Sequence, residues 1–504
     1  MTDPGRPPAP DPALTADDLL VATGGVLVHR SGRAIRGGAV DSRLVLPGNL
    51  FVALPGERTD GHRHLRAAVQ AGAAAILVSR DADAAAGEPA HADLGDVTVI
   101  RVPDTLRALH AVAAAWRTRF SPLVVGITGS IAKTSTKEAV AGVLAGRFAT
   151  LRTEGNQNNE IGLPLTVLRL GPEHGAAVLE MGMYVGGEIR DLATIGRPSI
   201  GIVTAVQPVH LSRIGSIEAI EDAKAELVEA LPAAVEGGVA ILNADDPRVA
   251  RMASRTRARV ATYGFAPDAD VTADEIVSAG FAGMQFRLRT PAGEREAAIP
   301  SLGRLAVHNA LAAVAAGLAA GMTLDEILPG LAVTATAPHR SAIVAARGLT
   351  IVDDSYNASP GSMRAALDLL GGLPGRHVAV LGEMRELGDQ HESGHRDVGA
   401  AAAGLDLLVV VDGGPGGAAE GIADGARDAG LDPDRIVVAV DTADAVGKVR
   451  AHAAAGDVVL VKASRGVELE RVVDGLAADD GSGAAEDRPG TADDRPGTAV
   501  ETGA

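Results

Sequence analysis

Short apolar runs separated by helical stretches recur along most of this 504-residue chain, and this alternation limits the fold more than any other feature. Strands that alternate with helices predict parallel sheets with helices on their faces. At roughly 100–200 residues per domain, the length indicates about three domains. The runs are residues 50–54, 74–78, 123–127, 177–181, 200–206, 239–242, 349–352, 377–381, 407–411, 436–440 and 458–461. We therefore expect an α/β protein.

Three blocks carry this pattern, and we expect domains at residues 15–118, 119–337 and 338–476. The last block predicts an open doubly wound sheet, which binds ligands beyond the carboxyl ends of its strands. The Pro-rich residues 1–14 predict a flexible leader. The Gly-, Asp- and Ala-rich residues 477–504 predict a disordered tail, because they cannot bury a core.

The composition argues against several kinds of function. A net charge of −18 repels phosphate backbones, so we expect no nucleic-acid partner. The chain has no cysteine, which excludes disulfides, thiolate metal sites and thiol catalysis. The N-terminus lacks an apolar signal core, and no run of roughly 18 apolar residues is present. We expect a cytoplasmic protein that does not insert into membranes.

A phosphate-binding loop is the sharpest local signal. The segment Gly126-Ile-Thr-Gly-Ser-Ile-Ala-Lys-Thr134 follows an apolar run and precedes a helical stretch, as such a loop requires. Its backbone N–H groups would approach phosphate oxygens, Lys133 would reach the β- and γ-phosphates, and Thr134 would bind Mg²⁺. The alternative is an ordinary Gly/Ser-rich turn. Ala132 stands where glycine usually precedes the lysine, and it costs on the order of 1 kcal/mol only if its φ is positive.

Other polar side chains follow the apolar runs of the second block. Glu180 ends one run and His210 follows another by four residues, so both are expected on the rim that holds the phosphate loop. A carboxylate, an imidazole and the Thr134 hydroxyl would make a set of Mg²⁺ ligands, although each residue alone is more often an ordinary polar group. From composition alone, Lys224 is expected to pair with Glu221 on a solvated helix face.

Three asparagines, Asn156, Asn158 and Asn159, lie in one polar segment. Amide side chains both donate and accept hydrogen bonds, which suits a peptide or sugar substrate. A segment of this kind is also often a simple connection, and spacing alone does not decide between the two.

Together these residues resemble the Mur ligase family over about residues 37–476. The matching segments are Asp41-Ser-Arg43, residues 47–54, Asp60-Gly-His62, and residues 128–138, 155–162, 187–189, 242–247, 353–360, 362–363, 381–388 and 461–465. The resemblance implies three domains. A central P-loop ATPase-like parallel sheet would be flanked by an N-terminal UDP-substrate domain and a C-terminal Rossmann-like domain.

The resemblance also implies an ATP-dependent ligase that activates a carboxylate as an acyl phosphate, which an amine then attacks. Residues 353–360 imply UDP-N-acetylmuramoyl-tripeptide and D-alanyl-D-alanine as substrates, in peptidoglycan precursor synthesis. We expect ATP and Mg²⁺ as cofactors and a monomeric protein. In the family, a lysine at the position of Lys224 is carbamoylated by CO₂ and helps hold Mg²⁺, and this replaces the surface-pair interpretation.

The implied site residues fall into four groups. The catalytic residues would be Lys133, Lys224 and His210. The ATP contacts would be Thr128, Gly129, Ser130, Ile131, Ala132, Lys133, Thr134, Asn309, Arg340 and Asp354. The metal ligands would be Thr134, Glu180, His210 and carbamoylated Lys224. The substrate contacts would be Ser42, Arg43, Asn156, Asn158, Asn159, Tyr356 and Asn357.

The chain departs from the family pattern at four places. Ala132 and Ala463 replace glycines, which puts the nucleotide affinity in question. Leu305 and Ala306 replace a His-Asn pair, and Met183-Tyr-Val185 replaces a more polar stretch, which puts adenine contacts and peptide selection in question. Two alternatives follow: a Mur-type ligase for a different acid and amine, or a nucleotide-binding regulator without turnover. No motif identifies the third residue of the peptide substrate.

Overall fold

The computed structural model describes residues 12–56, 59–82, 90–208, 214–333, 338–385, 387–412 and 417–478. The chain forms two compact units, one ending at Val112 and one over Ala113–Ala477. Residues 1–11 and 479–504, most of the predicted leader and tail, lie outside the described residues. Leu14 is buried and exchanges backbone hydrogen bonds of 2.8 and 3.0 Å with Ile35, so the predicted leader ends before Leu14.

The first unit is a small sheet with helices. Its elements are α1 (Ala16–Thr23), β1 (Val26–His29), β2 (Gly38–Ala39), β3 (Leu50–Val52), α2 (Leu65–Gln70), β4 (Ala75–Val78) and β5 (Thr98–Arg101), and α3 (Thr105–Arg117) leads into the second unit. The strand order is β1-β5-β4-β3-β2, with β1 antiparallel to β5 and the other neighbours parallel. The two apolar runs predicted here form β3 and β4.

The second unit begins with a six-stranded parallel sheet. Its elements are β6 (Leu123–Thr128), α4 (Lys133–Ala145), β7 (Thr150–Arg152), α5 (Gly162–Val167), β8 (Ala176–Glu180), α6 (Glu188–Gly196), β9 (Ile200–Val203), α7 (Ile217–Glu229), β10 (Val239–Asn243), α8 (Pro247–Arg251) and β11 (Arg259–Tyr263). The strand order is β11-β10-β9-β6-β8-β7. Because all strands run in one direction, their carboxyl ends share one rim.

Three antiparallel strands and two helices follow the central sheet. They are β12 (Thr272–Ser278), β13 (Met284–Thr290), β14 (Gly293–Ile299), α9 (Arg304–Ala319) and α10 (Leu324–Ala332), with strand order β12-β13-β14. The search for continuous apolar runs did not predict these strands. Only alternate residues such as Phe286 and Leu288 are buried, because the strands are covered on one face.

The last part of the second unit is a second six-stranded sheet. Its elements are β15 (Ala342–Ala346), β16 (Leu349–Asp353), α11 (Pro360–Gly371), β17 (His377–Leu381), α12 (His391–Ala401), β18 (Leu407–Val411), α13 (Ala418–Asp428), β19 (Ile436–Ala439), α14 (Thr442–His452), β20 (Val458–Lys462) and α15 (Glu470–Ala477). The order is β15-β16-β20-β17-β18-β19, and only β15 is antiparallel. Helices cover both faces, which confirms the predicted open doubly wound sheet.

Aliphatic side chains build these cores, as an aromatic content of 2% requires. The core between the central sheet, α4 and α9 is mostly Ala, Val, Leu and Ile, and Tyr263 and Phe286 are its buried aromatic members. Within the described ranges, no helix combines the length and apolarity needed to cross a bilayer.

The turn between β6 and α4 depends on two residues with positive φ. Gly129 has φ 148°, and a Cβ there would lie 1.9 Å from the Thr204 hydroxyl oxygen, so only glycine fits. Ala132 has φ 66° and ψ 0° and is the N-cap residue of α4. Ala132 therefore has the positive φ that strains a residue with a Cβ, and this strain costs on the order of 1 kcal/mol.

Ala132→Gly should raise the free energy of unfolding by about 1 kcal/mol, because glycine enters the left-handed region without a steric cost. Urea denaturation measures the change. Ala139→Gly is the matched control: Ala139 lies inside α4, where glycine should lower stability by about 1 kcal/mol. If the Ala132→Gly variant is no more stable than the parent protein, Ala132 is not strained.

Candidate active site

The phosphate-loop segment, residues 128–134, is held by residues that leave strand β9. The Ser130 N–H donates to the Ala205 carbonyl at 2.8 Å. The Ser130 hydroxyl exchanges hydrogen bonds of 3.0 and 2.9 Å with the backbone of Gln207. The Thr204 hydroxyl donates to the Ile131 carbonyl at 2.6 Å. The sheet thus fixes the loop, as a backbone anion site requires.

Lys133 begins α4 and turns its amine back over this loop. Its Nζ donates to the Gly129 carbonyl at 2.7 Å. Burial lowers the pKa of Lys133, the Glu180 carboxylate opposes that shift, and the Arg340 guanidinium adds to it. Lys133 and Arg340 are both predicted nucleotide contacts, and like charges disfavour each other. A polyanion between them would relieve their mutual repulsion.

Glu180 ends β8 and joins two predicted parts of the site. Its Oε1 accepts hydrogen bonds from the Thr134 hydroxyl at 3.2 Å and from the Asn158 amide at 2.8 Å. Its Oε2 is buried and has no hydrogen-bond partner among the described residues. The buried amine of Lys137, a residue that was not predicted from the sequence, lies 4.0 Å from Oε2. The structure therefore brings Thr134, Asn158 and Glu180 together.

This arrangement fits a hard divalent cation. Glu180 Oε2 is a buried carboxylate oxygen without a donor, and the Thr134 hydroxyl supplies a second oxygen close by. Within the described ranges, no three His, Asp or Glu side chains cluster as metal ligands. His210, the predicted imidazole ligand, lies outside the described residues.

Lys224 is buried on α7, with 2% of its surface exposed. The pairing with Glu221 expected from composition is wrong, because Glu221 binds Arg251 at 2.8 Å instead. The pKa of Lys224 lies well below its ordinary value. Burial is the main cause and Lys133 adds to it, against three nearby carboxylates, those of Glu188, Glu226 and Glu180. Lys224 is therefore a buried amine whose protonated form is disfavoured.

Glu226 and Glu188 were not identified from the sequence. Glu226 accepts hydrogen bonds from the N–H groups of Gly187 at 2.6 Å and Arg190 at 3.0 Å, at the start of α6. Glu188 accepts from the N–H of Tyr184 at 2.5 Å. Carboxylates at a helix N-terminus are favourably placed. Gly187-Glu-Ile189 was recognised as a motif, but only the fold shows that α7 supplies the partner.

Asn309 lies on α9 against the helix of the phosphate loop. Its side-chain oxygen accepts a hydrogen bond from the Thr136 hydroxyl at 3.2 Å, and the residue is buried. The preceding His308, which the sequence analysis did not select, contacts the Asn243 amide oxygen at 3.1 Å and the Asp245 carboxylate at 3.3 Å. The carboxyl end of β10 therefore has an imidazole even though the usual His-Asn pair is absent.

The asparagine segment has mixed roles. Asn158 reaches Glu180, whereas the Asn159 side chain accepts from the N–H groups of Ile161 and Gly162 at 3.3 and 2.9 Å. Asn159 therefore shapes the turn into α5, which is the simple connecting role. Asn156 lies in the same segment.

The rim of the last sheet carries a buried ion pair. Lys462 Nζ lies 2.6 Å from the Asp354 carboxylate and donates to the Asn357 carbonyl at 2.8 Å. The other Asp354 oxygen accepts the Ser341 N–H at 3.0 Å. Between these residues, the Tyr356 ring lies beneath the Arg340 guanidinium at 4.1 Å. In the sequence Lys462 is only one residue of a matching segment, and its contacts make it a member of this rim.

The two parts of the second unit meet beside the phosphate loop. A Cβ on Gly361, in the first turn of α11, would lie 3.1 Å from the side-chain oxygen of Gln207, the residue whose backbone binds Ser130. The first unit carries Ser42 and Arg43 on a short 3₁₀ turn, where Arg43 is 77% exposed and pairs with Asp41 at 2.6 Å.

Models of known protein families match most of the chain. Residues 34–117 match the model described as Mur ligase family, catalytic domain. Residues 127–317 match the Mur ligase middle domain, and residues 339–465 match the Mur ligase, glutamate ligase domain. The three matches follow one another in the order that the resemblance implied.

Similar proteins and structures agree with these matches. UDP-N-acetylmuramoyl-tripeptide–D-alanyl-D-alanine ligase of Mycobacterium bovis is 38% identical, with 88% of this chain and 92% of that protein covered. The Escherichia coli protein of the same name is 40% identical, with 74% and 80% covered. Crystal structure I of MurF from Acinetobacter baumannii has a TM-score of 0.81 at 31% identity, with 93% and 100% covered. MurF ligase from Thermotoga maritima, solved with ADP, has a TM-score of 0.76 at 28% identity, with 88% and 97% covered. This chain therefore belongs to the Mur ligase family.

Proposed function

We propose that this chain is an ATP-dependent ligase that adds D-alanyl-D-alanine to UDP-N-acetylmuramoyl-tripeptide in peptidoglycan precursor synthesis. The curated relatives carry that activity in their name and match nearly their whole length. The observation that carries the proposal is the meeting of Lys133, Thr134 and Glu180 at one phosphate loop. A reaction that consumes ATP and a UDP-linked precursor belongs in the cytoplasm.

We assign one role to each predicted domain. Residues 15–118 would hold the UDP end of the substrate, with Ser42 and Arg43 as contacts. Residues 119–337 would hold ATP and the cation, and residues 338–476 would hold the dipeptide. The rim of the last sheet supports the third assignment, because open parallel sheets bind ligands beyond the carboxyl ends of their strands.

The first chemical step forms an acyl phosphate. A carboxylate oxygen of the tripeptide attacks the γ-phosphorus of ATP, the bond from that phosphorus to the β-γ bridging oxygen breaks, and ADP leaves. Lys133 and the loop N–H groups offset the charge that spreads over the γ-phosphate oxygens. Thr134 and Glu180 would hold Mg²⁺, together with His210 as predicted from the sequence. Mg²⁺, when bound, supplies further neutralisation of the phosphate charge.

The second step forms the amide. The dipeptide amine attacks the acyl carbon, the bond from that carbon to the phosphate oxygen breaks, and inorganic phosphate leaves as the nitrogen loses a proton. No side chain forms a covalent bond to the substrate, so rate enhancement comes from positioning and charge stabilisation.

Lys133→Ala should abolish dipeptide-dependent ADP release, because the γ-phosphate loses its nearest positive charge. Loss of such a charge-stabilising group typically lowers kcat by about 100-fold or more. A coupled ADP assay with UDP-N-acetylmuramoyl-tripeptide and D-alanyl-D-alanine measures the effect. Lys448→Ala, at a surface lysine of α14, serves as control. Full turnover of Lys133→Ala would refute the role of Lys133.

We further propose that Lys224 carries CO₂ as a carbamate. A neutral amine can attack the carbon of CO₂, with formation of an N–C bond and loss of one proton. Burial keeps the pKa of Lys224 low, which favours the neutral amine that this reaction needs. The carbamate anion would act as an oxygen ligand for a hard cation and would offset the charge of nearby Lys133.

Removal of dissolved CO₂ should lower activity, and bicarbonate should restore it. Enzyme equilibrated with ¹³CO₂ should show a carbamate carbon signal by NMR that is missing in Lys224→Ala and retained in Lys448→Ala. A short-chain carboxylate should restore part of the activity of Lys224→Ala by supplying the missing anion. Undiminished turnover in CO₂-free buffer would eliminate the carbamate.

A further inference from the structure

Two arginines of the last sheet lie over one tyrosine ring. The guanidinium carbons of Arg340 and Arg465 lie 4.1 and 5.2 Å from the centroid of the Tyr356 ring. Both arginines are half-buried, and neither has an acidic partner within the part of the chain that the structure describes. Two partly desolvated cations this close are unfavourable without an anion between or beside them. The pair therefore has the character of an anion site.

This site is rigidly supported. Lys462 on β20 pairs with Asp354 at 2.6 Å and donates to the Asn357 carbonyl at 2.8 Å, which fixes the segment that carries Tyr356. The chain continues from Lys462 to Arg465. The Ser464 N–H donates to the Glu383 carbonyl at 2.9 Å, which joins that segment to the end of β17. Arg465 and Tyr356 are thus held by the same buried ion pair.

The two arginines are placed to bind different anions. Arg340 is a predicted ATP contact, so we assign it to the phosphate groups. The segment that carries Tyr356 leads into α11, where a Cβ on Gly361 would lie 3.1 Å from the side-chain oxygen of Gln207, and the Gln207 backbone binds Ser130 of the phosphate loop. The two guanidinium carbons are at most about 9 Å apart, the sum of their distances to the ring. An extended dipeptide spans about 7 Å from amine to carboxylate. A dipeptide with its amine at the acyl phosphate therefore brings its carboxylate within reach of Arg465.

We propose that Arg465 binds the free carboxylate of the incoming dipeptide and selects amine substrates with an ionised C-terminus. This inference rests on the proposed function and adds a specificity residue to it. A guanidinium can bind a carboxylate through two parallel hydrogen bonds, whereas a lysine amine in its place cannot. The neighbouring Tyr356 ring keeps the guanidinium in place by a cation–π contact.

The test compares D-alanyl-D-alanine with its C-terminal carboxamide, with ATP and UDP-N-acetylmuramoyl-tripeptide saturating. The parent enzyme should show a KM for the carboxamide about 10-fold to 100-fold higher, as expected for loss of a charge-assisted hydrogen bond. Arg465→Gln should raise the KM for the dipeptide by a similar factor and leave the KM for the carboxamide unchanged. The KM of Arg465→Lys for the dipeptide should lie between the values of the parent enzyme and of Arg465→Gln.

Arg471→Gln is the matched control, because Arg471 is an exposed arginine of the same part of the chain and already pairs with Glu468. It should leave both KM values unchanged. Equal KM values of the parent enzyme for acid and carboxamide would overturn the inference, even if Arg465→Gln does not fold. A rise in the KM for ATP or the UDP substrate alone would overturn it as well. If the parent enzyme releases no ADP with these substrates, the proposed function fails first.

Discussion

The carboxylate of Glu180 is the group on which the central site depends. One oxygen binds the Thr134 hydroxyl from the phosphate-loop helix and the Asn158 amide from the neighbouring segment. The other oxygen is buried, without a hydrogen-bond donor among the described residues, at 4.0 Å from the Lys137 amine. A buried carboxylate oxygen in that condition is costly unless a cation satisfies it. One strand end therefore joins the phosphate loop and the asparagine segment at the place where a cation would be held.

The same rim gathers cations that would repel one another without their ligands. Burial lowers the pKa of both Lys133 and Lys224, and the Lys133 amine adds to that shift in Lys224. Their chemistry then differs because their neighbours differ. Lys133 faces the loop that would hold a triphosphate, whose negative charge favours the protonated amine. Lys224 is almost fully buried near carboxylates, and its low pKa is the property that the proposed reaction with CO₂ needs. Burial, which lowers both pKa values, thus supports the two different roles proposed for Lys133 and Lys224.

Continuous apolar runs predicted most parallel strands, because a strand covered on both faces is apolar at every position. The apolar runs coincide with strands β17 and β18. Strands β12 to β14 alternate between more and less buried residues, so they form no continuous apolar run and were not predicted. The phosphate loop could be placed because it follows such a run directly, and Glu180 because it ends one. The burial of Lys224 could not be deduced, since helical spacing does not say which face of α7 meets the sheet. The roles of Lys462 and Arg465 depend on contacts with a segment over 100 residues earlier in the chain, and those contacts exist only in the folded protein.

Ala132 was the one departure that favoured a regulator without turnover. Its backbone occupies the left-handed conformation that glycine enters without a steric cost, and α4 begins at the next residue. The substitution therefore lowers stability by about 1 kcal/mol, and the loop still leads directly into the helix. Charge stabilisation in such loops depends on the lysine and on a fixed backbone, and this loop has both Lys133 and the contacts with residues that follow β9. The strain at Ala132 is a cost of folding, and it gives no reason to separate this chain from the catalytic members of its family.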